Sequence, residues 1–452
     1  MASNCDVALA WRGLEALPDG QRQLLSVLVA EAEQQGWVLY LVGGAVRDLL
    51  LRPAVPGLGL PDLDLVVEGA APGAGIQLGE RLGRLYPDVH LHSYGTFQTC
   101  ALTWPADSGL GPLSMDIATA RAESYPHPGA NPVVRPATLA QDLGRRDFTI
   151  NAMAVRLTEP RAGTWLDPFG GQQDLERRQL RVLHEHSFAD DPSRLYRGAR
   201  LAARLGLTLE PHTEALWRQT LARNPWQPYL QHRGGAPALQ HRLRGEFKYL
   251  FQSESWRPAL RLLAVWRGLD CLVPDFPWQE AMVTQIATAG RLAQAHPFAT
   301  ETWLLSLAVL LTALPPAQRR GVVTQLDLPP KVGQCLESCD ALQRCLQSAG
   351  RPSQVVAQLE PLGSETLVLL AATGPPWLRR LIRRYWSTWS QIRPFLTGDD
   401  LQALGYRPGP TFRGLLQHLR AATLDGVLRD RPAALAYLQS LDTQHSHQTV
   451  SE

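Results

Sequence analysis

The chain has 452 residues, 45% hydrophobic and 19% charged, enough for roughly two to four packed domains and too apolar for a disordered chain. Lys+Arg 44 against Asp+Glu 42 leaves a net charge of +2, which excludes a global basic field and confines any nucleic-acid site to a local patch. Six scattered cysteines without a CxxC pair exclude a disulfide framework, and no zinc site is expected from His90, His92, His184 and His186.

The N-terminal segment lacks a basic region followed by an apolar run, and the longest apolar run, Trp303 to Leu314, falls short of the roughly 20 residues that span a bilayer. A soluble, cytoplasmic protein with no membrane partner is expected. Lys248 and Lys331 are the only lysines, so the positive charge is almost all arginine, whose planar fork suits phosphates and base edges.

In chain order, Gln21 to Gln35 has helical spacing, and Trp37 to Val42 reads as a buried strand closed by Gly43-Gly44. Ala45 to Leu51 reads as helix, and Leu63 to Val67, Phe97 to Leu102 and Leu113 to Ala118 as strands. After about Phe148 the pattern becomes helical: Ser193 to Leu205, Leu239 to Phe251, Trp256 to Trp266, Glu301 to Leu314, Lys331 to Ala349 and Ser364 to Leu370. Pro and Gly clusters at Pro315-Pro316, Pro329-Pro330, Pro375-Pro376 and Pro408-Gly409-Pro410 punctuate them, and the end from about Thr443 is expected to fray. The fold class is α+β, a small sheet domain followed by all-α domains.

Gly43-Gly44-Ala45-Val46-Arg47-Asp48 takes a strand through two glycines into a helix. Backbone without Cβ atoms can approach a polyphosphate, and the free N–H groups of the helix start point at it. Arg47, one turn in, can add a charge-assisted contact. Alternate strand residues face the same way, so Asp62 and Asp64 project together, and paired carboxylates repel unless a divalent cation joins them. Singly, a turn and two surface acids are commonplace. Together, in that order, they suit nucleotidyl or phosphoryl transfer. A P-loop is excluded, since no Gly-Lys-Ser/Thr follows.

The segments LYLVGGAVRDLLL, PDLDLVVEG, GRRDFTINAMA, DPFGGQQDL and DDPSRLYRGARLAARLGL, spread from Leu39 to Leu207, resemble the class II tRNA nucleotidyltransferase and bacterial poly(A) polymerase family. TGDDLQALGYRPGP with the later LDGVL is similar to the C-terminal region of bacterial CCA-adding and A-adding enzymes. The resemblance implies a polymerase-β-like nucleotidyltransferase head over residues 1–156, then helical neck (157–255), body (256–390) and tail (391–452). It implies Mg²⁺ held by Asp62 and Asp64, with Asp116 as a third catalytic acid. Gly43, Gly44 and Arg47 would hold the incoming triphosphate, and Arg146, Asp147 and Asn151 its sugar and phosphates.

Asp190-Asp191-Pro192-Ser193-Arg194 is similar to the family's base-reading motif, with Asp190 where Glu is usual. Asp191 and Arg194 would read the base: a carboxylate accepts from the exocyclic amino group of C or A, and a guanidinium donates to ring acceptors. Arg194, Arg197 and Arg200 recur every three residues on one helix face, where they repel unless a polyanion joins them.

The expected substrates are the tRNA 3′ end with ATP and CTP. CCA addition is the first reading; addition of A alone, beside a separate CC-adding partner, is the second, and poly(A) synthesis the third. Arg121 to Asp142 resembles the flexible loop that CC-only enzymes tend to lack, which argues against CC-only activity. Ser93-Tyr94-Gly95-Thr96-Phe97 stands where bacterial poly(A) polymerases usually carry an arginine-rich segment. The spacer between Gly44 and Asp62 is read as lengthened by a surface-loop insertion. Arginines and aromatics interleave from Trp377 to Trp389, with half of the aromatics expected to face the core.

Overall fold

The sheet that carries the site has seven strands: β1 (Val38–Val42), β2 (Asp62–Glu68), β3 (His90–Tyr94), β4 (Thr99–Trp104), β5 (Leu113–Thr119), β8 (Ala154–Arg156) and β9 (Trp165–Leu166), while β6 (Arg121–Ser124) and β7 (Val133–Pro136) pair apart from it. Its order is β3-β4-β5-β2-β1-β8-β9. Neighbours are antiparallel except β2 and β5, which run parallel. The structure is a computed structural model describing residues 14–51, 60–69, 71–231, 236–296, 300–347 and 350–448. The expected insertion after Gly44 falls largely on residues 52–59, outside the described residues, as does the N-terminal segment before residue 14.

Burial alternates along β2. Leu63, Leu65 and Val67 are buried together with Met115 and Ile117 of β5. On that face helix Ala74–Leu85 lies against the sheet backbone: a Cβ on Gly75 would stand 2.7 Å from Ala118 C, and one on Gly79 would stand 2.5 Å from Cys100 Sγ. The other face carries Asp62, Asp64 and Val66. Val66 joins Tyr40, Val42, Ala120, Leu139, Leu143, Ala152 and Ala154 in a core cluster, and beyond it the acids look into open space.

Two segments differ from the sequence reading. Gly95–Phe97 is a 3-10 turn, so β4 starts only at Thr99, after Gln98 adopts φ 51°. Arg121 to Asp142, read as a flexible loop, contains a hairpin of β6 (Arg121–Ser124) and β7 (Val133–Pro136) and then helix Leu139–Gly144. Thr138 caps that helix, its hydroxyl accepting from Gln141 N while the Gln141 side chain answers the Thr138 N–H. The short strands and exposed Val133 lack the apolar alternation by which a strand is recognised.

The chain divides into two units, Met1–Asp275 and Phe276–Glu452. The first closes with helices Ser193–Leu205, Pro211–Arg223, Pro237–Gln252 and Trp256–Val265. The second is helical in its described residues, with Trp303–Leu311 of helix Thr302–Leu311 buried. Prolines start its helices at Pro316, Pro330, Pro352, Pro376 and Pro410, where the missing N–H costs nothing. In Pro376–Ser387, Arg379, Arg380, Arg383 and Arg384 face out while Tyr385 is buried, as is Trp389 beyond it. The last helix runs from Arg431 to Gln448, past the point where fraying is expected; residues 449–452 lie outside the described residues. No single helix among the described residues is long and apolar enough to cross a membrane.

Candidate active site

Gly43, Gly44, Arg47, Asp62, Asp64, Asp116, Arg146, Asp147, Asn151, Asp191, Arg194, Arg197 and Arg200 all line one cavity of about 730 Å³. Every catalytic and nucleotide-binding position expected from the sequence therefore meets in one place. What each side chain does there is less uniform.

The acids come from β2 and β5. In the parallel register Asp64 lies beside Asp116, so Asp62, Asp64 and Asp116 share a face. Burial, then Asp64 and Asp62, push the Asp116 carboxyl up to about 6. Burial, Asp64 and Asp48 raise Asp62 as well.

Gly43 closes β1 at φ 72°, a conformation only glycine adopts without strain. A Cβ there would stand 2.9 Å from both Arg146 Nη1 and Asp64 Oδ2, so glycine lets the guanidinium and the acid approach the turn together. Helix Gly44–Leu51 starts at once. Its Arg47 is only 4% exposed; it donates from Nε to Asp48 Oδ1 at 2.8 Å and from Nη1 to Asn151 Oδ1. Asn151 passes the link on from Nδ2 to Asp147 Oδ1 at 3.0 Å. Arg47 is thus oriented by protein partners at the rim of the cavity.

Asp142, fully buried and unforeseen from the sequence, anchors the next segment. It accepts from Arg145 Nε and Nη2 at 3.0 and 2.8 Å and from Arg146 Nη2 at 3.1 Å. Burial opposes its charge, but the two guanidiniums outweigh it and hold the carboxyl below the usual range. Arg146 Nε is buried with no partner in the protein, an orphan donor of the kind an anionic ligand satisfies.

The arginines of helix Ser193–Leu205 do not form the repelling face expected from their spacing. Each finds a different acceptor from a distant segment. Arg194, 6% exposed, donates from Nη1 to Ser187 Oγ at 2.6 Å and from Nη2 to Arg145 O at 2.8 Å. Arg197 Nε pairs with Asp147 Oδ2 at 2.7 Å. Burial works against the Asp147 charge; Arg197 and Asn151 prevail and lower its pKa. Arg200 grips Glu246 Oε2 from Nε and Nη2 at 3.0 and 2.8 Å, which commits a residue expected to hold the nucleotide.

Asp191 Oδ1 accepts from Ser193 N at 3.1 Å and Ser193 Oγ at 2.8 Å, so the acid both caps the helix start and faces the cavity. Three further residues escaped the sequence reading. Arg242 donates from Nε to Asp191 Oδ1 at 3.3 Å and from Nη2 to Gly129 O and Ala130 O at 2.8 and 3.1 Å, joining Asp191 to the tip of the β6–β7 hairpin. Arg145 contributes its carbonyl to Arg194. His184 lies 3.5 Å from Arg194 Nη1, and burial together with Arg194 and His186 lowers its pKa to about 4. Only Arg145 had a local signal, the Arg145-Arg146-Asp147 run; the others act across long stretches of chain.

An acidic strand pair facing a glycine turn, with an arginine-bearing helix along one wall, defines a site for transferring a phosphoryl or nucleotidyl group. Residues 39–181 match the poly A polymerase head domain family. An A-adding tRNA nucleotidyltransferase of Halalkalibacterium halodurans is 31% identical over 426 residues, 93% of this chain and 92% of that protein. A CC-adding tRNA nucleotidyltransferase of Deinococcus radiodurans is 35% identical over 404 residues, 88% of this chain and 89% of that protein. An A-adding enzyme of Aquifex aeolicus is 33% identical over 341 residues, and there the chain spans only 38% of the relative's length. Among solved structures, the Thermotoga maritima CCA-adding enzyme complexed with tRNA superposes with a TM-score of 0.69 at 25% identity, covering 96% of this chain and 98% of that one. The chain belongs to the class II tRNA nucleotidyltransferase family.

Enzymes of this family generally use a divalent metal. The donor set here fits one: aspartate oxygens are hard ligands, and Asp62 and Asp116 carry the raised pKa of crowded carboxylates. Among the described residues no group of three or more His, Cys, Asp and Glu side chains is already arranged to hold an ion.

Proposed function

We propose that the protein is a template-independent nucleotidyltransferase that adds CCA to the 3′ end of tRNA from CTP and ATP, releasing pyrophosphate. The observation that carries this reading is the single cavity with acids on one wall and the Asp191–Arg194 pair on another. The RNA 3′-hydroxyl oxygen attacks the α-phosphorus in line with the leaving group. A new oxygen–phosphorus bond forms, the bond to the bridging oxygen breaks, pyrophosphate leaves with the electron pair, and the hydroxyl proton is released to water. Mg²⁺ bound at Asp62 and Asp64, when present, supplies activation of the hydroxyl and neutralisation of the pyrophosphate charge. Asp116 is the third acid of that group.

Gly43, Gly44 and Arg47 cradle the triphosphate, and Arg146, Asp147 and Asn151 orient the sugar and phosphates. Asp191 accepts from the amino group shared by C and A, and Arg194, fixed by Ser187 and the Arg145 carbonyl, donates beside it. G and U present a keto oxygen at that position, which would meet the carboxylate acceptor to acceptor. Arg197, paired with Asp147, serves the same wall.

The head (1–156), neck (157–255), body (256–390) and tail (391–452) division and a cytoplasmic location belong to the same proposal. Addition of A alone, beside a separate CC-adding enzyme, is the second reading, favoured by the A-adding relative that matches over 93% of the chain. The 35% identical CC-adding relative means that identity by itself does not separate the activities. Transcripts ending before CCA, after C and after CC, offered CTP and ATP singly and together, decide it. Full CCA on the shortest supports the first reading; one A on the CC-ended transcript alone supports the second. Long A tails on any RNA indicate a poly(A) polymerase, and no extension refutes all three.

A further inference from the structure

Tyr249 lines the active-site cavity yet belongs to none of the motifs. It lies on helix Pro237–Gln252, three residues after Glu246, and is 57% exposed. Its position is nonetheless defined. The Arg200 guanidinium carbon sits 5.3 Å from the centre of the ring, and Arg200 is itself locked on Glu246, which is 8% exposed, by two hydrogen bonds to one carboxylate oxygen. A cation over an aromatic face is attractive, so Arg200 steadies the ring from one side. At 57% exposure the residue keeps more than half of its surface open beside that contact.

An exposed, backed aromatic ring beside a phosphate-transfer centre is a stacking platform for a nucleobase. The base of the incoming nucleotide is not its occupant. Arg194, at the base-reading end of helix Ser193–Leu205, and Arg200 are six residues apart, about 9 Å along the axis, too far for one base to serve both. Beyond Arg200, one further turn brings Arg204 to Asp48 at 3.4 Å, beside helix Gly44–Leu51 and in the cavity that Asp62 also lines. The platform therefore stands on the acids' side of the base reader, where a second substrate presents its hydroxyl.

We propose that Tyr249, backed by Arg200, stacks the 3′-terminal base of the RNA being extended. This rests on the nucleotidyltransferase reading of the cavity and assigns Arg200 as a positioning residue acting through Tyr249 and not as a phosphate ligand. The terminal base is held by its π-face, which every base offers, so one platform serves successive ends of a growing strand.

The test uses the full-length protein and the tRNA transcripts that wild type extends, each in two forms: an intact 3′-terminal nucleotide, and an abasic ribose that keeps its 3′-hydroxyl. For wild type the abasic end should raise the RNA KM about tenfold, the range of one base–aromatic stack. Tyr249→Ala should raise KM for the intact end by a similar factor and lose most sensitivity to the missing base. Tyr249→Phe and Tyr249→Trp should retain the wild-type pattern, and the KM for ATP or CTP should stay unchanged in all three. An abasic penalty as large in Tyr249→Ala as in wild type overturns the proposal, as does a loss in Tyr249→Phe equal to that in Tyr249→Ala. Wild type extending no RNA at all would instead defeat the underlying reading, and the platform with it.

Discussion

Replacing Gly43 by alanine separates backbone strain from site geometry. At φ 72° an L-residue costs about 1–2 kcal/mol. Gly36, at φ 69°, would pay the same backbone cost, but a Cβ there meets nothing within 4 Å. At Gly43 the Cβ would stand 2.9 Å from Arg146 Nη1 and from Asp64 Oδ2. To reach ordinary contact, roughly 3.5–4 Å, each group must retreat by at least about half an ångström. The carboxylate is one of the acids proposed to serve the α-phosphate, and a displacement of about 1 Å in a reacting group can cost roughly 10²-fold. Both variants should therefore lose about 1–2 kcal/mol in urea unfolding, while only Gly43→Ala should lose kcat/KM for tRNA extension, by about one to two orders of magnitude. If Gly43→Ala kept the activity of Gly36→Ala at equal stability, the crowding of Asp64 and Arg146 at the turn would have no part in catalysis.

Asp64→Ala should abolish extension while filter binding of tRNA stays near wild type, since the role proposed for the acid is at the reacting phosphate and not in RNA affinity; parallel loss of both would count against that role. Asp191→Ala should relax the choice of CTP and ATP over UTP and GTP in single-nucleotide incorporation. Arg242→Ala, which frees Asp191 from the hairpin tip, should relax it in the same direction by a smaller factor, and unchanged selectivity in both would remove the base-reading assignment. His184 is held near 4, below its ordinary 6.5, so between those values the unfolded chain binds a proton that the folded one does not. Stability should then fall as the pH drops from about 6.5 towards 4, by about 1–2 kcal/mol after allowance for partial exposure, and His184→Gln should remove that part of the slope in denaturant titrations. An NMR titration placing the His184 imidazole near 6.5 would contradict the burial argument.

The strands and helices nearest the site were legible because they obey local periodicities. Leu63, Leu65 and Val67 bury while Asp62 and Asp64 face away, as period-two alternation requires, and Ser193–Leu205 has the bounds its amphipathic spacing indicates. Gly43-Gly44 marked the strand-to-helix turn because a glycine pair there is itself a local conformational signal. The β6–β7 hairpin was not legible, since its short strands lack apolar alternation and its tip is held by Arg242, over a hundred residues away in sequence.

By itself the sequence determined the elements that carry the acids, the glycine turn and the arginine helix, the side of the strand its acids occupy, and the family through motifs in order. Only the tertiary structure decided which partner each charge takes. Arg194, Arg197 and Arg200 share a spacing, yet one meets a carbonyl and a serine, one Asp147 and one Glu246. Asp64 beside Asp116 likewise depends on the parallel pairing of β2 with β5. Spacing records which side chains share a face of one element, whereas burial compels each buried charge to find a counter-charge or hydrogen bond from whatever segment packing brings alongside.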